Sequence, residues 1–119
     1  MVCITARAAG IEAPIETGLA HAPFFVFIET ETGEVHSVAN ALCGGRQGAG
    51  PRAARFVAEY GSRAVVTGWV GPEAAQVLRD AGITLATLTG EKTVTEALEA
   101  FRAGLLRAGT PPGPARTDR

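Results

Sequence analysis

Apolar residues occur along this chain in short blocks, separated by glycine and proline. The run Val2-Cys3-Ile4-Thr5-Ala6 is apolar and partly β-branched, which predicts a strand. Residues 7–22 are punctuated by Gly10, Pro14 and Gly18 and read as loop. Pro23-Phe24-Phe25-Val26-Phe27-Ile28-Glu29 is the strongest strand signal in the chain. Aromatic and β-branched residues dominate it and both its faces are apolar, so it is expected to be central in a sheet. Thr30 to Glu34 turns around Gly33, and Val35 to Asn40 alternates as an antiparallel partner would. The stretch 23–40 therefore reads as a β-hairpin.

Beyond Asn40 the apolar spacing becomes helical. A glycine-rich loop at 41–50 leads to Pro51, a residue tolerated in the first turn of a helix because its missing N–H is not needed there. Ala53, Ala54, Phe56, Val57 and Tyr60 then recur at helical intervals up to Gly61, a C-terminal cap. Ala64 to Thr67 is a buried strand, and Gly68-Trp69-Val70-Gly71 turns the chain. Pro72 starts a second helix with Ala74, Ala75, Val77 and Leu78 inward, and Gly82 ends it. Ile83 to Leu88 is another strand. Thr93 caps a third helix, Glu96 completes a capping box, and Val94, Ala97, Leu98, Phe101 and Leu105 form the apolar stripe. The later half is thus β-α-β-α, which demands parallel strands joined by right-handed crossovers. The hairpin adds an antiparallel strand, so the expected fold is α/β, a mixed sheet of about five strands with flanking helices.

Length and composition narrow the function classes. The 119 residues suit one domain over 1–108, and the Pro-rich segment 109–119 cannot bury anything and is expected to be a disordered tail. Lys plus Arg total 11 against 12 Asp plus Glu, a balance with no basic face for nucleic acid. Nor is there a basic amphipathic helix for a membrane surface. The longest apolar runs fall well short of the ~20 residues that span a bilayer. The first residues lack the charged start and apolar core of a secretory signal, so a cytoplasmic location is the expectation. The two cysteines, Cys3 and Cys43, make neither a disulfide framework nor a C-x-x-C motif.

The chemistry-bearing segment is Cys43-Gly44-Gly45-Arg46-Gln47-Gly48-Ala49-Gly50, which runs into a helix. Gly48-Ala49-Gly50-Pro51-Arg52-Ala53 spells a dinucleotide fingerprint by letters, yet a loop separates it from its strand and no acidic residue follows the next strand. No Walker pattern is present. Glycines do allow close backbone approach, and a helix N-terminus offers free N–H groups to an anion. A second such end lies at Gly71-Pro72, at the same sheet edge in a parallel arrangement, and Arg46 and Arg52 add charge. The alternative is that these glycines only make tight turns. Cys43 lies in the loop, where a thiolate is a soft metal ligand, or it is a small hydrophobe beneath that loop. Cys3 reads as core. His21 is a metal-ligand candidate or a solvated loop residue, and Trp69 either walls a pocket or packs between helices. No nucleophile–base–acid set is visible, so the chain does not read as an enzyme.

A series of landmarks then resembles a known family: Gly18-Leu19-Ala20-His21-Ala22-Pro23-Phe24-Phe25, Glu29 to Val35, Asn40, Gly48-Ala49-Gly50, Val65 to Ala74, Leu78 to Ile83 and Thr93 to Leu98. Their order and spacing are similar to the dinitrogenase iron–molybdenum cofactor biosynthesis family, the NifX-like proteins, over residues 1–105. The resemblance implies a ribonuclease H-like fold without nuclease chemistry. It implies non-covalent carriage or storage of an anionic iron–sulfur or molybdenum-containing cluster or its precursor, exchanged with cofactor-assembly proteins by a monomer or small homo-oligomer. Cys43 and His21 would be the metal-ligand candidates, and backbone at Cys43, Gly44, Gly45, Gly48, Gly50 and Gly71 would cradle the cluster. Family members often carry His-Phe-Gly-Arg-Ala-Pro-Tyr-Phe ahead of the second strand; here Gly18 stands for the His and His21 for the Arg. A ligand-free regulatory or scaffolding module is the alternative reading.

Overall fold

Every strand of the sheet except its outer members is sandwiched between apolar side chains on both faces. The computed structural model describes residues 1–41 and 48–108. It has strands β1 (Val2–Ala6), β2 (Phe24–Ile28), β3 (Val35–Ala39), β4 (Ala64–Thr67), β5 (Thr84–Thr87) and β6 (Arg107–Ala108), with helices α1 (Ala49–Glu59), α2 (Pro72–Asp80) and α3 (Val94–Arg102). The order across the sheet is β3-β2-β1-β4-β5-β6. The hairpin pairs antiparallel with Ile28 opposite Val35, β2 pairs antiparallel with β1, and β4 lies parallel to β1 and β5. This is the mixed, ribonuclease H-like sheet.

The crossovers β1 to β4 and β4 to β5 both step in one direction, so right-handedness puts α1 and α2 on the same face. That face buries Cys3, Phe25, Phe27, Ala53, Val57, Val65, Ala75 and Leu78. Tyr60 stacks on Phe27 at a centroid distance of 3.9 Å, and Phe56 contacts both Phe25 and Phe27. The opposite face is covered by α3, whose Val94 and Ala97 pack on Val2, Ile4, Val26, Ile28 and Val66. Thr93 caps α3 by accepting from the Glu96 N–H at 3.2 Å, while the Glu96 carboxylate accepts from the Lys92 N–H at 2.8 Å. Thr93→Ala is expected to cost about 1 kcal/mol in urea denaturation followed by circular dichroism.

Three boundaries differ from the sequence pattern. Helix α1 begins at Ala49 rather than Pro51, because Gly48 takes the N-cap position with φ 81° and leaves Pro51 within the first turn. Helix α3 stops at Arg102, since Gly104 turns left-handed at φ 73°, and Leu105 is exposed instead of joining the apolar stripe. The two residues of β6 pair with Ala86 and Thr87 and extend the five expected strands by a short edge. Residues 109–119, expected to be a disordered tail, lie outside the described residues.

Candidate functional site

Parallel strands that feed helices bring helix N-termini to their carboxyl edge, and here two of those ends meet. The loop after β1 returns to that edge. Ala6 bridges Ile15, the Glu16 N–H donates to the Thr5 carbonyl, and Thr17 reaches the end of β4. There the N–H groups of Gly68 and Trp69 both donate to the Thr17 carbonyl, at 2.9 and 2.6 Å, and the Leu19 N–H donates to the Trp69 carbonyl at 3.1 Å. A Cβ on Gly68 would stand 2.8 Å from the Thr17 carbonyl oxygen, so only glycine permits this approach.

Buried hydroxyls fasten the same loop from beneath. The Thr5 hydroxyl donates to the Glu16 carbonyl at 2.6 Å, and Thr5 and Thr67 Oγ1 lie 2.8 Å apart in a second hydrogen bond. Both side chains are buried in the sheet. On the far side of the loop, Asn40 Nδ2 donates to the Ala22 carbonyl at 2.8 Å and ties the end of β3 to the start of β2.

These ties frame a cavity of about 380 Å³ lined by Leu19 and Ala20 of the loop, Gly50 and Pro51 of α1, Trp69 and Gly71 of the turn, and Pro72, Glu73 and Ala74 of α2. Helices α1 and α2 approach closely here, with the Gly50 Cα facing the Ala74 methyl. The Trp69 ring lies against Gly71 and is 50% exposed. Neither helix has a side-chain cap. The first turn of α1 closes with Arg52 N–H to Gly48 carbonyl, and that of α2 with Ala75 N–H to Gly71 carbonyl. The N–H groups of Ala49, Gly50, Glu73 and Ala74 therefore have no partner among the described residues. Three of these four residues, Gly50, Glu73 and Ala74, belong to the lining of the cavity, whose wall is otherwise mostly apolar.

Of the residues singled out in the sequence, Gly50, Gly71 and Trp69 come together in the lining, and Gly48 sits just outside it as the α1 cap. His21 is exposed beside the cavity, its ring leaning over Gly18 with Cδ2 3.2 Å from where a Cβ would stand, and it is not part of the lining. Cys43, Gly44, Gly45 and Arg46 lie outside the described residues. Cys3 is fully buried and burial pushes its thiol far above the usual range, which removes it as a ligand. Among the described residues no group of His, Cys, Asp and Glu side chains is placed to hold a metal ion, and no helix is long and apolar enough to cross a membrane. Sequence reasoning missed Leu19, Ala20 and Glu73 as lining, and the threonine fastening; Glu73 is the one of these that carried a signal, standing immediately after Pro72 in a first turn.

The profile of the family described as "Dinitrogenase iron-molybdenum cofactor" matches residues 1–104. Among solved structures, the apo form of the orange protein from Desulfovibrio gigas superposes with a TM-score of 0.86 at 29% identity, covering 94% of each chain. A Thermotoga protein proposed to be a NifB superposes with a TM-score of 0.80 at 28% identity, covering 94% of this chain and 97% of its own. No curated protein matches the chain.

Proposed function

Because the chain belongs to the dinitrogenase iron–molybdenum cofactor family, we propose that it is a non-catalytic protein that binds and carries, or stores, an anionic metal–sulfur cluster of the iron–sulfur or molybdenum-containing kind. The observation that carries this reading is the cavity between two uncapped helix N-termini. N–H groups without a partner among the described residues and the positive ends of two helix dipoles favour an anion. The wall of Leu19, Ala20, Pro51, Trp69, Pro72 and Ala74 suits a cargo whose surface is polarisable sulfide rather than a tightly hydrated oxyanion. The described lining offers no soft side-chain ligand, so the cargo's inner ligands would be its own. Cys43 and His21 are the proposed additional ligands, and proteins of cofactor assembly are the proposed partners that load and empty the site.

Trp69 is the single tryptophan and stands in the wall, so its fluorescence reports on the cavity directly. Anaerobic titration with tetrathiomolybdate or a preformed iron–sulfur cluster is expected to quench Trp69 and to leave a visible chromophore on the protein after desalting. Cys43→Ser and His21→Ala are expected to weaken retention. An unquenched Trp69 together with a colourless protein would overturn the carrier reading and favour a scaffolding module.

A further inference from the structure

One carboxylate stands in a cavity otherwise suited to an anion. Among the described residues, Glu73 is the only titratable side chain in the lining, and it occupies the second position of α2. It is exposed and forms no ion pair or side-chain hydrogen bond with the described residues. The nearest basic residue along its own helix, Arg79, is engaged with Gln76, which in turn holds Asp80. Arg52 and Arg55 on α1 lie outside the lining. Among the described residues, no neighbouring side chain neutralises the negative charge at the cavity wall.

We infer that Glu73 holds down the affinity of this cavity for its anionic cargo and thereby sets the cargo's release. The inference rests on the carrier reading of the same cavity. Its physical basis is competition. A carboxylate in a first helical turn interacts favourably with the positive end of the helix. An anion bound between the two helix ends draws on that same charge and meets Glu73 across a few ångströms. A unit charge at about 6 Å from a dianion in a water-like dielectric changes binding about tenfold. Glu73 therefore steadies α2 in the empty chain and opposes the loaded one, a combination that suits a carrier rather than a permanent holder.

The test compares the wild-type protein with Glu73→Gln, titrating both with the tetrathiomolybdate dianion under anaerobic conditions and following Trp69 emission and the stopped-flow dissociation rate. Glu73→Gln is expected to bind about tenfold more tightly, chiefly through slower dissociation, with a gap that narrows as ionic strength rises. Glu59→Gln, at the far end of α1, is expected to match wild type. If Glu73 serves only to steady α2, the variant loses a little thermal stability and binds as wild type does, which overturns the inference and leaves the carrier reading standing. Silence from both proteins overturns the carrier reading and the inference with it. Binding by the variant alone supports both.

Discussion

Gly68→Ala is expected to lower stability by about 1–3 kcal/mol and to abolish or severely weaken cargo binding. The cost does not come from backbone strain, because Gly68 is not among the left-handed glycines. It comes from where the new methyl lands: 2.8 Å from the Thr17 carbonyl oxygen and 3.0 Å from Thr17 Cβ. A carbonyl oxygen cannot rotate aside as a side chain can, so Thr17 itself must move. That oxygen accepts from both Gly68 and Trp69, and the next bond along, Leu19 N–H to Trp69 carbonyl, depends on the same register. Thr17 to Ala20 would therefore peel away from the end of β4 and take the Leu19–Ala20 wall of the cavity with it. Denaturation with urea reads the stability loss, and Trp69 emission reads the opened wall. Gly71→Ala is the control. Gly71 has φ −66° and its methyl would meet only the Trp69 ring at 3.6 Å. It is expected to stay within about 0.5 kcal/mol of wild type. Equal stability of Gly68→Ala and Gly71→Ala would show that the approach of Thr17 to β4 is not tight.

What the sequence made legible divides along the same line. The hairpin, β4, α2 and the Thr93 cap follow from local patterns whose causes are local: alternation, a Pro at the first helical position, a capping box. The meeting of Gly50 and Gly71 was also legible, because parallel topology forces successive helix starts to one edge. The tie from Thr17 to Gly68 was not. Those residues are far apart in sequence, and Gly68 reads as an ordinary turn glycine until the neighbour it must admit is known. Thr5 and Thr67 likewise read as plain β-branched strand residues, since a strand pattern cannot tell a hydroxyl aimed at a distant carbonyl from one that merely fits the pleat. Leu105 failed in the opposite direction. Its spacing suits the α3 stripe, but Gly104 ends that course before the side chain can reach the core.

The second large effect is expected from Thr5→Val, an exchange of nearly equal volume that removes one buried hydroxyl. Thr5 is 0% exposed and Thr67 1%, so water cannot replace what is lost. The Glu16 carbonyl loses its donor at 2.6 Å, and Thr67 Oγ1 loses the nearer of its two partners, at 2.8 Å, keeping only the longer approach to the Thr17 carbonyl. Leaving a buried polar group short of its partner costs about 1–3 kcal/mol, so the single variant is expected to lose about 2 kcal/mol. Thr67→Val alone removes the shared bond and the longer approach of Thr67 Oγ1 to the Thr17 carbonyl at 3.4 Å, but leaves Thr5 bonded to Glu16, and it should cost less. The double variant decides the interpretation. With both hydroxyls gone no orphaned hydroxyl faces an apolar methyl, so its loss should fall clearly below the sum of the singles. Strict additivity would mean that the two threonines act as independent packing residues. Cargo binding measured where Thr5→Val remains folded should also fall, because the Glu16–Thr17 segment it releases is the one that holds Leu19 and Ala20 against the cavity.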